Sequence, residues 1–409
     1  MYKKFLLNKE KLFCLYKGYD LASILSFDIA FLVYGNSRSL WREIIKIFLA
    51  KDIRPPKTTD NILFSMGPYN RKDYDEILDY VMLQVGIKER FDIGMCKYKF
   101  KISFKGVIFS FKNIFFNHLI LSFKVRLLLF FRMIHYINSI ELLNNMEKEW
   151  GYNNYCSFCS ADPFECILDS YFRLNKIKTY TLQHGLYVFS NSPQIDIIAF
   201  DNMVSDHILC WGEYTKNEFL KYGLPSDKII VAGYPRSTQK LTPYVIPITP
   251  RILFLCARKI YDNENIKIMN ILAEVKNEIN IEVSVKTHPS LNSKKYKFLC
   301  EELELSFYDM DTVSKALASG DYDVIVTYNS SAYYDAYIGN RVVLKFVDDM
   351  NEILVDISND TFSSSTEFIN KLQLLTKLSA SQIFWDNNAD KLSHTVGVGI
   401  NNYKDILRK

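Results

Sequence analysis

The 409-residue sequence has no run of eighteen or more strongly apolar residues, so a membrane-spanning helix is not expected. Its start carries no secretory pattern either. The apolar patch Phe5-Leu6-Leu7 is interrupted at Lys9-Glu10-Lys11, too short for the core of a signal peptide. Charge of one sign is not in excess: 50 Lys and Arg stand against 46 Asp and Glu, a net +4 with a pI near 8.4. That balance gives no footing to a nucleic-acid partner. No internal repeat and no low-complexity linker are found. Cys156-x-x-Cys159 is followed by no second such pair and no paired histidines, so buried small apolar residues are a better reading than zinc or redox chemistry. The eight cysteines (14, 96, 156, 159, 166, 210, 256, 300) are scattered through a large chain, which fits a reduced, cytosolic compartment. What is present is a globular composition, 48% apolar and 23% charged, long enough for two or three domains and a large core. Aromatics reach 15%, with 29 Phe and 27 Tyr beside many Lys, Ile and Asn, a bias that AT-rich coding also produces.

The clearest boundary is 241–250, where Pro243, Pro247 and Pro250 forbid a helix and favour an extended connector. On both sides short apolar runs alternate with amphipathic segments. Ile29–Tyr34 is a continuous apolar run ending at Gly35-Asn36-Ser37, followed by a helical pattern over Leu40–Leu49. Strands are predicted at Tyr155–Cys159, Thr179–Leu182, His207–Trp211 and Ile229–Ala232, with helices at Phe164–Asn175 and Glu213–Tyr222. Past the connector, strands are predicted at Ile252–Cys256, Ile281–Val285, Asp323–Thr327 and Val342–Phe346. Helices are expected at Ile266–Ile279, Tyr296–Glu304 and Ser330–Ile338. Such alternation implies α/β domains with parallel sheets. The expected organisation is a first Rossmann-like domain over 1–240, a linker over 241–250 and a second over 251–409. The last helix is a candidate to pack back on the first domain. Two such domains create a cleft at the carboxyl ends of their strands, where ligands bind.

One stretch departs from the pattern. From Ile93 to Ile140 there is no Asp or Glu, but eight Lys and Arg (97, 99, 101, 105, 112, 124, 126, 132) are interleaved with Phe, Ile and Leu. Two readings stand side by side: packed helices with a solvated basic edge, or a basic-aromatic surface that rests on an anionic membrane or on a lipid-linked substrate.

Three strand ends carry chemistry. In Gln183-His184-Gly185 the glycine permits a sharp turn or positive φ, leaving an imidazole at the sheet edge as a base or, when protonated, as a hydrogen-bond donor to phosphate or substrate. In Lys286-Thr287-His288-Pro289 the proline holds His288 extended, and Lys with His suits a phosphate leaving group. In Thr327-Tyr328-Asn329-Ser330-Ser331 a serine caps the next helix, whose first-turn N–H groups also suit an anion.

These three motifs, in this order, resemble the GT-B transferases of bacterial surface polysaccharides. That group includes sialyltransferases and polysialyltransferases, Kdo transferases and CDP-glycerol glycerophosphotransferases. The stretch Asp206–Arg236 is similar to the segment leading into their linker, and the resemblance runs from about Tyr155 to Phe346. It implies a GT-B fold with two Rossmann-like domains, and phosphate binding of a cytidine nucleotide by His288, Ser330 and Ser331. Lys286, Pro289, Asn329 and Arg258 are counted with them on the donor side, Gln183 and Gly185 on the acceptor side. The acidic-acidic-Gly motif that supplies the base in sialyltransferase members is absent. Asp162, in Ser160-Ala161-Asp162-Pro163, is the nearest equivalent by position, so the base is Asp162 or His184. The implied activity is transfer from a nucleotide sugar, with CMP-sugars favoured, to a lipid-linked or lipid A-linked glycan acceptor. No metal or other cofactor is expected; Asp309-Met310-Asp311 reads as a turn. The expected location is the cytoplasm, peripheral on the inner face of the membrane. Alternatives are a CDP-polyol phosphotransferase, a nucleotide-sugar 2-epimerase and a noncatalytic glycan-assembly protein.

Overall fold

The computed structural model describes residues 1–35, 38–57, 60–146, 151–187, 198–308, 312–350 and 354–409. The chain divides into two compact units. One comprises Met1–Cys210, Lys216–Ala232 and Asn401–Lys409; the other comprises Trp211–Thr215 and Gly233–Ile400. The Pro-rich stretch 241–250 forms no strand or helix and lies inside the second unit.

The main sheet of the first unit has six strands: β1 (Ile62–Met66), β2 (Phe91–Asp92), β3 (Asn154–Ser157), β4 (Lys178–Leu182), β5 (His207–Cys210) and β6 (Ile229–Val231). They are ordered β6-β5-β4-β3-β1-β2 and every pair is parallel. Successive side chains leave a strand on opposite faces, and both faces are covered here. Leu63, Tyr155 and Ile208 enter one apolar cluster, while Ile62, Phe64, Cys156 and Leu209 enter the other. The second cluster is closed by α1 (Lys72–Val85), which stops at Gly86 in the left-handed region (φ 78°), and by Tyr403 and Leu407. Asn154 Nδ2 donates to the Leu407 carbonyl at 2.7 Å, so residues 401–409 are tied to the start of β3.

The apolar run Ile29–Tyr34 falls almost wholly in a helix, Ser26–Val33. Ile29, Ala30, Leu32 and Val33 are all buried, and a short helix covered on most sides shows the same unbroken apolar run as a central strand. Asn36 and Ser37 lie outside the described residues.

The basic stretch folds as a helical hairpin, α2 (Phe104–Phe116) and α3 (Phe123–Asn144). Its cations divide in a way composition does not show. Arg132 is a buried anchor: Nε lies 3.2 Å from Asp28 and Nη1 3.6 Å from Glu43, with Arg38 2.9 Å from the same Asp28. Tyr136 donates to Asp28 at 2.7 Å. Arg126 turns back to the carbonyls of Leu119 and Leu121 and ties down the hairpin's connection. Neither is a membrane-facing cation. No helix among the described residues is long and apolar enough to cross a membrane.

The second unit has six parallel strands: β7 (Arg251–Leu255), β8 (Glu282–Lys286), β9 (Ser306–Phe307), β10 (Val324–Thr327), β11 (Val342–Phe346) and β12 (Thr361–Phe362). Their order is β9-β8-β7-β10-β11-β12. Strands are added outward on one side of β7 and then on the other, which makes β7/β10 the point where the order reverses. The corresponding point of the first sheet is β1/β3. Ligands of such sheets bind outside the carboxyl ends of the strands at these points.

Candidate functional site

Because the strands are parallel, the loops leaving β8, β7 and β10 emerge side by side on one edge. They carry, in that spatial order, Lys286 with His288 and Pro289, then Arg258, then Asn329 with Ser330 and Ser331. The ladder extends past β7, with Cys256 N–H donating to the Lys286 carbonyl at 2.9 Å.

Each side chain has a local cause for its pose. His288 Nδ1 accepts the backbone N–H of Ser290 at 3.1 Å and lies 2.9 Å from the Ser290 hydroxyl. An accepting Nδ1 in a neutral ring puts the proton on Nε2. Lys286 Nζ sits 5.5 Å from the Tyr308 ring, and the Arg258 guanidinium 5.8 Å from the Tyr261 ring. Asn329 takes the left-handed conformation (φ 42°), which its short polar side chain tolerates, and donates to the Met350 carbonyl at 3.0 Å. Ser330 Oγ accepts the Ala332 N–H at 3.2 Å, while Ser331 makes no side-chain cap. The helix they precede is Ala332–Ile338, two residues later than its expected start.

In the first unit the loops after β3 and β4 carry Asp162 and His184 on neighbouring strand ends. Asp162 caps α4 (Pro163–Leu174), with Pro163 at the first helical position. One of its oxygens, Oδ1, accepts the N–H groups of Phe164 (3.0 Å) and Glu165 (3.3 Å). The cap thus leaves Oδ2 unused. Burial pushes the Asp162 carboxyl up to about 6 against the pull of those N–H groups and of Lys51. Burial and the Asp162 charge also raise Glu165, whose oxygens accept from Ser65, Phe158 and Cys159.

His184 is half-buried among rings: Phe158 at 5.1 Å, Tyr74 at 5.5 Å and Phe200 stacked at 5.8 Å. Tyr69 and Tyr74 extend this wall, 5.8 and 4.8 Å from Phe158. Gln183 is buried and donates to the Gly185 carbonyl at 2.9 Å. Gly185 has no positive φ, and among the described residues a Cβ there would meet nothing within 4 Å, so the expected special turn is not what glycine supplies here.

Two residues that sequence reasoning missed stand beside Asp162. Gly67 follows β1, and a Cβ on it would press on Tyr69 at 2.7 Å and on the Asp162 carboxyl at 3.3 Å. The signal was readable: an apolar run, Ile62–Met66, ending in Gly-Pro. Lys51 is buried with Nζ 5.1 Å from the Phe164 ring and 5.6 Å from Tyr98; burial lowers its pKa, opposed by Cys96, Asp162 and Asp92. No local pattern marks it, because its neighbours come from distant segments. Ser160 Oγ and Thr327 Oγ1, at the ends of β3 and β10, are buried with no hydrogen-bond partner among the described residues. Orphan hydroxyls at strand ends are what a ligand would satisfy.

Among the described residues no three His, Cys, Asp or Glu side chains gather as metal ligands would; Asp309 and Asp311 lie outside them. A shallow concavity of about 530 Å³ between Asn263–Glu274 and Ser363–Ser365 includes none of the predicted site residues.

Two Rossmann-like units, with orders 2-1-3-4-5-6 and 3-2-1-4-5-6 counted outward from the reversal, define the GT-B class of fold. One solved structure agrees in fold. A glycosyltransferase from Rickettsia africae ESF-5 is 14% identical and matches over 85% of this chain and 98% of its own, with a TM-score of 0.51. The UDP-GlcNAc 2-epimerase of Methanocaldococcus jannaschii, with UDP-GlcNAc and UDP, is 13% identical over 85% and 98%, with a TM-score of 0.48. S. aureus TarM is 12% identical over 66% of this chain, with a TM-score of 0.41. The match spans only 58% of TarM's own length. Likeness at this identity concerns the fold alone. No protein-family model and no curated protein matches the sequence.

Proposed function

We propose that this chain is a glycosyltransferase of bacterial surface-glycan synthesis, in which the second unit binds a nucleotide sugar and the first supplies the base and the acceptor site. The observation that carries the reading is the convergence of Arg258, Lys286, His288, Ser330 and Ser331 on three adjacent strand ends at the reversal point of the second sheet. Two fixed cations, an imidazole N–H and two hydroxyls suit a phosphate that gains negative charge as it leaves. His288 is the leaving-group donor in this scheme, through Nε2. The acceptor hydroxyl gives its proton to Asp162 or His184 as its oxygen attacks the anomeric carbon, and the nucleotide departs with the bonding pair. Rings around His184 offer apolar faces for a sugar to lie on. The resemblance favours a cytidine nucleotide and a lipid-linked acceptor at the inner face of the cytoplasmic membrane, with no metal.

Thermal melts with CMP, CDP and UDP test the donor half. One of them should raise the Tm, and His288→Ala or the pair Ser330→Ala/Ser331→Ala should remove that shift. Loss of a cap alone costs about 1 kcal/mol of stability and leaves nucleotide affinity alone. Nucleotide release that requires a glycan acceptor is the result expected of a transferase. A Tm indifferent to all three nucleotides argues against the reading.

A further inference from the structure

The outer face of α2 is reversed from that of an ordinary surface helix. Its buried side is narrow and small, Gly106, Ser110 and Ile114, and a Cβ on Gly106 would meet Ile137 of α3 at 2.5 Å. That close approach turns the large side chains outward. Phe104, Ile108 and Phe111 recur at the spacing of one helical face and are exposed, Phe104 to 79%. Lys105 and Lys112 flank the stripe, and Phe123 with Lys124 continues it, the Phe123 ring standing 6.0 Å from Phe115.

A second apolar stripe joins it. Trp41, Ile45 and Phe48 are exposed, Trp41 to 77%. The Phe48 carbonyl accepts the Lys101 N–H at 3.0 Å beside the exposed Phe100. Lys97, Lys105, Lys112 and Lys124 have no acidic partner among the described residues, whereas Lys99 is paired with Asp52 at 2.8 Å.

We infer that this face docks on an anionic lipid surface, aromatic side chains below the headgroups and lysines among them. The occupant follows from composition. Protein interfaces are depleted of lysine, while helices lying in a bilayer interface combine Lys with Trp and Phe on a polar-apolar boundary. No acidic residue falls between Ile93 and Ile140 to repel anionic headgroups. The inference stands on exposure and charge, independently of what the enzyme transfers.

The test is co-sedimentation of the full chain with phosphatidylcholine vesicles, with and without about 30% phosphatidylglycerol. Binding is expected only to the anionic vesicles and should weaken with salt. Lys105→Glu/Lys112→Glu/Lys124→Glu should weaken it on the order of a hundredfold, from about tenfold or less per lost cation. Trp41→Ser/Phe104→Ser/Ile108→Ser should abolish it, and both variants should keep the parent Tm because the altered side chains are exposed. Binding indifferent to lipid charge, or surviving both variants, overturns the inference. So does a self-association that the apolar variant dissolves while vesicles are ignored, which would make the face an interface between copies.

Discussion

The cap at Asp162 leaves room for a chemical duty, because the helix uses one oxygen and leaves the other. Its pKa makes a signed prediction. A carboxyl raised from 3.8 to about 6 in the folded protein binds its proton more tightly there than in the unfolded chain. The protonated form therefore favours folding, and this contribution is present below pH about 4 and lost as pH rises through about 6. Turnover should run the other way. If Asp162 is the base, kcat/KM climbs through pH 6 and levels above it. Asp162→Asn keeps a good cap, so the Tm at neutral pH should hold or rise while turnover falls by two or more orders of magnitude, roughly the value of a general base. An acid limb that persists in Asp162→Asn and vanishes in His184→Asn would give the role to the histidine.

Elements tell how much of this was legible. The strands ending at Leu182, Lys286 and Thr327 were plain, since buried parallel strands read as short β-branched or apolar runs between turn residues, and their ends led directly to His184, His288 and Ser330. Ser26–Val33 was not, because unbroken apolar sequence fits either a buried helix or a strand. The meaning of Arg132 was also hidden: its partners Asp28 and Glu43 lie roughly a hundred residues upstream, beyond any local pattern. This cluster predicts a large effect. Burial alone would raise the Asp28 carboxyl, yet Arg132, Arg38 and the Tyr136 hydroxyl hold it below its usual range. Arg132→Met leaves the buried Asp28 to Arg38 and Tyr136 and leaves Glu43 to Lys46 and Arg38, so it should cost about 3 kcal/mol, the low end for a broken buried pair, measured by urea unfolding. With the Asp28 pKa depressed, the cluster's support is present at neutral pH and is lost as pH falls through the folded value. A variant as stable as the parent would mean that the cluster relaxes into water.

For the whole molecule the controlling fact is that the first unit is discontinuous in sequence, completed by residues 401–409 after all of Gly233–Ile400 has intervened. Tyr403 is fully buried against α1 and β3, so Tyr403→Ala should lower the stability of the first unit by about 3 kcal/mol or more. Removing residues 401–409 should do at least as much, seen as an earlier first transition on heating. A melt that keeps its parent profile would show that the segment only decorates the sheet.

The same discontinuity sets an order of events during synthesis. A ribosome delivers chain in one direction, and domains fold as they emerge. The sheet of the first unit is complete in strands once Val231 is out, yet its apolar flank around Ile77, Leu78 and Val81 still waits for Tyr403 and Leu407. The intervening 233–400 can reach its own fold meanwhile, since all six strands of the second sheet lie within it. The nascent protein therefore holds an open seam for the time taken to translate about 170 residues, on the order of ten to thirty seconds at ordinary ribosome rates. Holdase chaperones should meet this chain at that seam, and pausing translation just before residue 401 should prolong the encounter.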